Sequence, residues 1–260
     1  MTTSARRTIS DSQGTSVVTF LPKVRDGRLW ADRVRVLGPD PAGPIFDQLA
    51  GWAVSCPDDL AELLVVRGAV VLRRASRMCR DLVADPPSAA WAGLRPVPEL
   101  RLVTCDRPAG DLMPAWRAAY PATHPDHFAD DDEKALRVRL VPQLTGSLYG
   151  PLLPFSTLVT DTADRVVAAV VVNDMDGEPP WTGPWITDLF RHPSTAYAGL
   201  GMLLLRRALA HAADAGLPTI SLVVTEKNPA RRVYTRHGFE VVDTTTTVLI
   251  PDGPTEVVHA

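Results

Sequence analysis

The stretch His192-Pro193, followed by Gly199-Leu200-Gly201 and Met202-Leu203-Leu204-Leu205, constrains this chain more than any other. Trp185 to Phe190 reads as a strand. Two glycines then permit a sharp reversal and a close backbone approach, and the apolar-periodic run to Ala215 reads as a long helix closed by Gly216. Thr219 to Val224 follows as another strand. A strand that feeds a helix and returns to a strand points to an α/β core with a mixed sheet. The first amides of such a helix have no internal partner and sit at the positive end of its dipole, so they suit phosphate oxygens. Taken alone, the glycines fit a tight strand–helix connection equally well.

The chain of 260 residues is long enough for one large domain or two small ones, and its 45% hydrophobic and 22% charged residues allow a sizeable core. A net charge of −3 gives no expectation of nucleic-acid binding. No apolar run reaches the length of a membrane span, and Met1 to Arg7 is not followed by the apolar stretch of a signal peptide. Cys56, Cys79 and Cys105 are scattered outside any metal-ligand spacing. An odd, scattered set suits reduced thiols, hence a cytoplasmic protein without a metal.

Along the chain, residues 1–16 are expected to be disordered and 17–84 to form a small α/β segment. That segment has strands around Asp26-Gly27, a loop at Pro39 to Pro44, a helix from Asp58 to Arg67 and a strand from Val70 to Leu82. Residues 85–98 are proline-rich and read as a linker. A second domain spans 99–250, with 251–260 as a tail. Within it, Pro108 to Tyr120 carries Leu112, Met113, Ala115, Trp116 and Ala119 at helical spacing, and Asp131-Asp132-Glu133 opens another helix running past Leu140. Pro57 to Gly68 with its following strand echoes Pro229 to Gly238-Phe239 with its own. A partial internal copy and chance similarity of two helix–glycine–strand units both explain this.

The downstream cluster Asn228, Ala230, Tyr234, Gly238 and Phe239 breaks the tie over the glycine turn. With Pro193 placed six and eight residues before Gly199 and Gly201, it resembles the GCN5-related N-acetyltransferase (GNAT) family, actinobacterial members of unassigned substrate included. The resemblance covers roughly residues 98–250. It implies a mostly antiparallel sheet flanked by helices, with the N-terminal segment a smaller, partial GNAT-like piece. Two family positions differ: the usual Arg or Gln falls on Ala196, and an earlier glycine on Tyr197.

The resemblance implies that acetyl-CoA is the co-substrate. Its pantetheine would run along Leu189, Phe190 and Arg191, where the neighbouring strands splay. Its diphosphate would lie on Ala196, Tyr197, Ala198, Gly199, Leu200, Gly201 and Met202, with Asn228, Ala230 and Arg231 alongside. Asn228 also suits a plain helix cap, and Arg231 a plain surface charge. Tyr234 is expected to protonate the departing thiolate, since a phenol can donate to a sulfur of nearby acidity. Asp188, and after it Glu226, are the candidates for helping the acceptor ammonium lose its proton, and a strand amide near Leu189 for polarising the acetyl carbonyl.

The acceptor is expected to be a small-molecule or peptide amine held by the first two helices and the loop Tyr120 to Phe128, with a homodimer left open. His124 and His127 in that loop lack further ligands for a metal, and Asp130 to Glu133 suits a helix start as well as a cationic substrate. The function expected is direct acetyl transfer in a ternary complex. The alternative is a catalytically degenerate acyl-CoA sensor or scaffold, suggested by Ala196 and Tyr197.

Overall fold

The computed structural model describes residues 5–25 and 27–252. The chain divides into two compact units. One comprises the residues up to Ser76 together with those from Asp243 onward; the other runs from Arg77 to Val242. The division falls at 76/77 and 242/243 rather than in the proline-rich stretch 85–98.

The first unit holds strands β1 (Arg7–Ser10), β2 (Ser16–Arg25), β3 (Arg28–Val36) and β4 (Ala53–Pro57), helices α1 (Ala42–Gln48) and α2 (Asp58–Val66), and parts of β5 (Val70–Asp81) and β11 (Glu240–Leu249). Strands β1, β2 and β3 pair antiparallel, β3 and β4 are parallel, and β11 runs antiparallel to β4, from Thr245 opposite Pro57 to Leu249 opposite Ala53. Its core gathers Val18, Phe20, Ile45, Leu60, Leu64 and Val248. Leu60, Ala61 and Leu64 give α2 one apolar face. Residues 1–16 are not wholly irregular: Ile9 is buried, and that burial stabilises β1 as an extra strand on β2. Pro39 to Pro44 is likewise more than a loop, because Pro41 heads a helix that buries Ala42 and Ile45. Residues 1–4, Asp26 of the expected turn, and 253–260 of the tail lie outside the described residues.

The second unit contains β6 (Arg101–Thr104), α3 (Ala109–Ala119), α4 (Asp132–Ala135), a π-helical turn (Leu136–Leu140), α5 (Val141–Leu144), β7 (Thr157–Thr160), β8 (Val166–Asp176), β9 (Thr182–Arg191), α6 (Leu200–Asp214), β10 (Thr219–Thr225) and α7 (Ala230–Arg236). Its strand order is β5-β10-β9-β8-β7-β6, with β9 and β10 parallel and β6 to β9 successively antiparallel. The sheet is therefore mixed and mostly antiparallel, with helices on both faces. On one face α6 lays Leu204, Leu205 and Leu209 against Ile220 and Val170; on the other α3 lays Leu112 and Trp116 against Leu158 and Ala169. Covered from both sides, β8 is an unbroken buried run from Val166 to Asn173. The stretch 85–98 joins this unit. Its 3-10 turn (Ala89–Gly93) packs on α6, where the Arg207 guanidinium donates to the carbonyls of Ala92 and Leu94.

Helices α2 and α7 end alike. The Gly68 amide donates to Val65 O and the Ala69 amide to Leu64 O; the Gly238 amide donates to Thr235 O and the Phe239 amide to Tyr234 O. Gly68 and Gly238 have φ of 105° and 75°, the left-handed geometry of this helix stop. After each helix the chain enters the sheet of the other unit: β5 follows α2 and lies beside β10, while β11 follows α7 and pairs with β4.

Candidate functional site

The site begins where β9 and β10 part. Their parallel ladder holds Ser221 opposite Trp185 and Leu222 opposite Ile186, and among the described residues it goes no further. Against β8, β9 skips one residue: Val172 faces Ile186 and Val171 faces Asp188, so Thr187 bulges. The Thr187 hydroxyl donates to Asn173 Oδ1 (2.6 Å) and accepts from Gln143 Nε2 (2.9 Å), tying α5 to the bulge. Leu189 to Arg191 therefore border a fork. Phe190 is buried in the α3-side core, so only its backbone can meet a ligand there; Leu189 packs on the α6 side. Arg191 turns its guanidinium onto the carbonyls of His192 (2.9 Å) and Ser194 (3.3 Å), shaping the loop that follows.

That loop passes a 3-10 turn (Thr195–Tyr197) and reaches Gly199, whose φ of 83° needs a glycine. No side chain caps α6, and its first backbone bond runs from the Leu203 amide to Gly199 O at 3.0 Å. The amides of Leu200, Gly201 and Met202 thus lack an intrahelical acceptor. A Cβ placed on Gly199 or Gly201 would meet nothing within 4 Å, so no other group crowds these two residues. Ala196 and Ala198 are exposed. Tyr197 packs edge-on against His192, its hydroxyl 3.5 Å from Asp161. Unpartnered amides at a helix start fit a diphosphate.

Tyr234 is buried on α7, the helix that follows β10, with its ring edge against Phe239 at 5.9 Å. Its hydroxyl makes no hydrogen bond among the described residues. Burial first, then the negative charges of Asp188 and Asp126, raise its pKa and keep the phenol protonated. Asp188 lies buried, accepting from Trp116 Nε1 (2.9 Å) and from the Tyr120 hydroxyl (2.7 Å). Burial raises its pKa, opposed by Arg139, by those two donors and by the Leu189 amide.

Asn228 spends its amide within the protein. Its Oδ1 accepts from the Ala230 amide (2.8 Å), capping α7, and its Nδ2 donates to Asp126 (2.9 Å), which also accepts from Thr225 Oγ1. Arg231 is partly exposed at the first turn of α7. Glu226, in the turn after β10, is exposed and stands outside the buried cluster of Asp188, Tyr120 and Trp116.

Sequence reasoning missed Tyr120, Asp126 and Arg139. Tyr120 carried a faint signal, one turn after Trp116 on the same helix; their rings stand 5.5 Å apart. Asp126 carried none, because its partners Thr225 and Asn228 lie about a hundred residues away. In the same loop, His124 Nδ1 accepts from the Asp126 amide and His127 Nδ1 meets Tyr120 O at 2.7 Å, so both rings serve the loop. Asp131 caps α4, and Asp132 and Asp130 pair with Arg117 and Lys134. Burial pushes the Cys105 thiol up to about 12, leaving it unreactive. Among the described residues no cluster could hold a metal, and no helix is long and apolar enough to cross a membrane.

Residues 111–239 match the acetyltransferase (GNAT) family. The mycothiol acetyltransferase of Nocardiopsis dassonvillei is 28% identical over 219 residues, 78% of this chain; the match spans 64% of that relative's length. Among solved structures, a GCN5-related N-acetyltransferase from Sphaerobacter thermophilus aligns over 95% of this chain and 81% of its own, with a TM-score of 0.63 at 16% identity. A tandem GNAT protein from the clavulanic acid biosynthesis pathway aligns over 95% and 83%, with a TM-score of 0.63 at 17% identity. At these identities the two structures speak for the fold.

Proposed function

The chain carries a domain of the GNAT acetyltransferase family, and we propose that it transfers an acetyl group directly from acetyl-CoA to a primary amine while both are bound. The observation that carries this reading is the fork itself. Free amides stand at the start of α6, which follows β9 on one side of it, and an unbonded Tyr234 hydroxyl stands on α7, which follows β10 on the other.

The amides of Leu200, Gly201 and Met202 would hold the diphosphate, and the backbone of Leu189 to Arg191 the pantetheine arm. Acetyl-CoA supplies the activated thioester. The acceptor ammonium gives a proton to the Tyr120 oxygen as Tyr120 passes its own to Asp188 across 2.7 Å. Burial makes Asp188 a stronger base for that purpose. The new N–C bond forms as the C–S bond breaks, and Tyr234 gives its proton to the sulfur. The field of Asp188 and Asp126 disfavours a tyrosinate, and it disfavours a thiolate beside it too, so the transfer is between neighbouring sites in one field. As the amide forms, its nitrogen sheds a second proton; that proton and the one on Asp188 leave through solvent, one restoring Tyr234 and the other released to bulk water. Glu226, exposed outside this cluster, has no part in the scheme.

The first unit is read here as a partial GNAT-like piece, supported by the shared ending of α2 and α7.

Thiol release from acetyl-CoA over a panel of amines tests the function. Tyr234→Phe is expected to lower kcat by about a hundredfold or more, the usual scale for a lost general acid. Coenzyme affinity should hold within about twofold, because the phenol lies outside the diphosphate contacts. An unchanged kcat removes Tyr234 from the role. Tight coenzyme binding without release on any amine supports the sensor reading instead.

A further inference from the structure

Arg139 sits in the π-helical turn between α4 and α5, a local insertion of the kind found at functional sites. Its Nε is sealed from solvent and has no hydrogen-bond partner. The guanidinium carbon lies 6.0 Å from the Tyr149 ring centroid, and among the described residues no carboxylate forms an ion pair with it. Other arginines of this unit are matched: Arg107 with Asp164, Arg117 with Asp132 and the Phe128 and Asp130 carbonyls, Arg165 with Asp161. The acids nearest in charge to Arg139 are Asp188 and Asp126, and both have given their oxygens to other donors. One turn on, fully buried Gln143 donates through Nε2 to Thr187, yet its Oε1 is also without a partner. An orphan planar donor and an orphan acceptor thus stand one turn apart, on the segment that the Gln143–Thr187 bond ties to the bulge beside Asp188.

We propose that Arg139 is the carboxylate-binding group of the acceptor site, and that the acceptor is an amino acid or short peptide presenting a free carboxylate as well as its amine. This rests on the acetyl-transfer reading. A guanidinium fork matches a carboxylate through two parallel N–H···O bonds, a geometry that a lysine cannot copy. Asp188 and Asp126 supply the negative field that favours the ammonium end over a second anion.

The test measures binding of N-acetyl amino acids, the products expected, against their C-terminal amides by equilibrium dialysis without coenzyme. On the unaltered protein at least one acid is expected to bind about tenfold more tightly than its amide, the scale of one charge-assisted pair. Arg139→Gln should erase that preference, and Arg139→Lys should keep part of it by charge alone. Equal binding of acid and amide, no binding by any acid, or a preference that survives Arg139→Gln overturns the assignment. Thiol release separates the two readings. Efficient turnover of amines without a carboxylate sinks this inference and leaves acetyl transfer standing; carboxylate binding without turnover on any amine does the reverse.

Discussion

Replacing Tyr120 by Phe removes a single oxygen and leaves no cavity, so its effect reads out the bond to Asp188 alone. That bond is 2.7 Å long, to a carboxylate buried in the α3-side core. A hydrogen bond to a charged group contributes about 1.5–3 kcal/mol. The expected loss at pH 8 is that amount, or roughly 3–12 °C in Tm for a chain of this size. The pH dependence follows from the sign of the shift. Burial raises the pKa of Asp188, and Tyr120 pulls it back down. A carboxyl whose folded pKa lies above its unfolded value takes up a proton on folding. Stability is therefore full below the unfolded carboxylate range and falls as pH rises through the folded value. Without Tyr120 the folded value is higher still, and the decline runs further up. The gap between the two proteins should be small at pH 4.5 and widest at pH 8, as measured by urea unfolding at each. Because the same substitution cuts the relay from the acceptor to Asp188, kcat/KM should also fall by about a hundredfold or more. A gap equal at both pH values, or below about 0.5 kcal/mol at pH 8 against the expected bond energy, would refute the claim that Tyr120 sustains a buried charge.

Two further substitutions probe the phosphate ground and the core. Gly201→Asp places a carboxylate at the start of α6 where a Cβ meets nothing; stability should hold or rise by about 0.3–1 kcal/mol through the helix dipole. Acetyl-CoA affinity, read by calorimetry, should nevertheless fall about tenfold or more, since one charge now faces another at close range; unchanged affinity would put the diphosphate elsewhere. Leu209→Ala empties a fully buried position on α6 and should cost about 2–5 kcal/mol by urea unfolding, while a cost under 1 kcal/mol would contradict the packing described.

The legible part of this fold was the part governed by short-range chemistry. Gly199, Gly216 and Gly238 mark turns whose backbone demands only glycine meets cheaply, so α6 and α7 could be bounded from the residues alone. The segments misread in the first unit are short ones. Arg7–Ser10 becomes a strand only because Val18 and Thr19 are there to pair with it, and Ala42–Gln48 becomes a helix because Ile45 finds a core. In the site, Tyr234 and Asp188 were reached through their motif and strand. The sequence could set Asp188 beside Glu226 as candidates but could not say which would be buried. Asp126, Tyr120 and Arg139 answer to partners far along the chain or to none, and no local pattern announces them.

The crossing of β5 and β11 bears on how this gene could be cut. β5 follows α2 of the first unit, and its residues from Arg77 belong to the second; β11 follows α7 of the second, and its residues from Asp243 belong to the first. A break in the proline-rich stretch would look harmless on paper, yet both fragments would be short of structure: the front piece would lack the residues from Asp243 onward, the back piece the strand beside β10. Evolution faces the same restriction as the bench. The front portion cannot be cut away at 85–98 without loss, because residues 77–81 of β5, which belong to the same compact unit as β10, would leave with it.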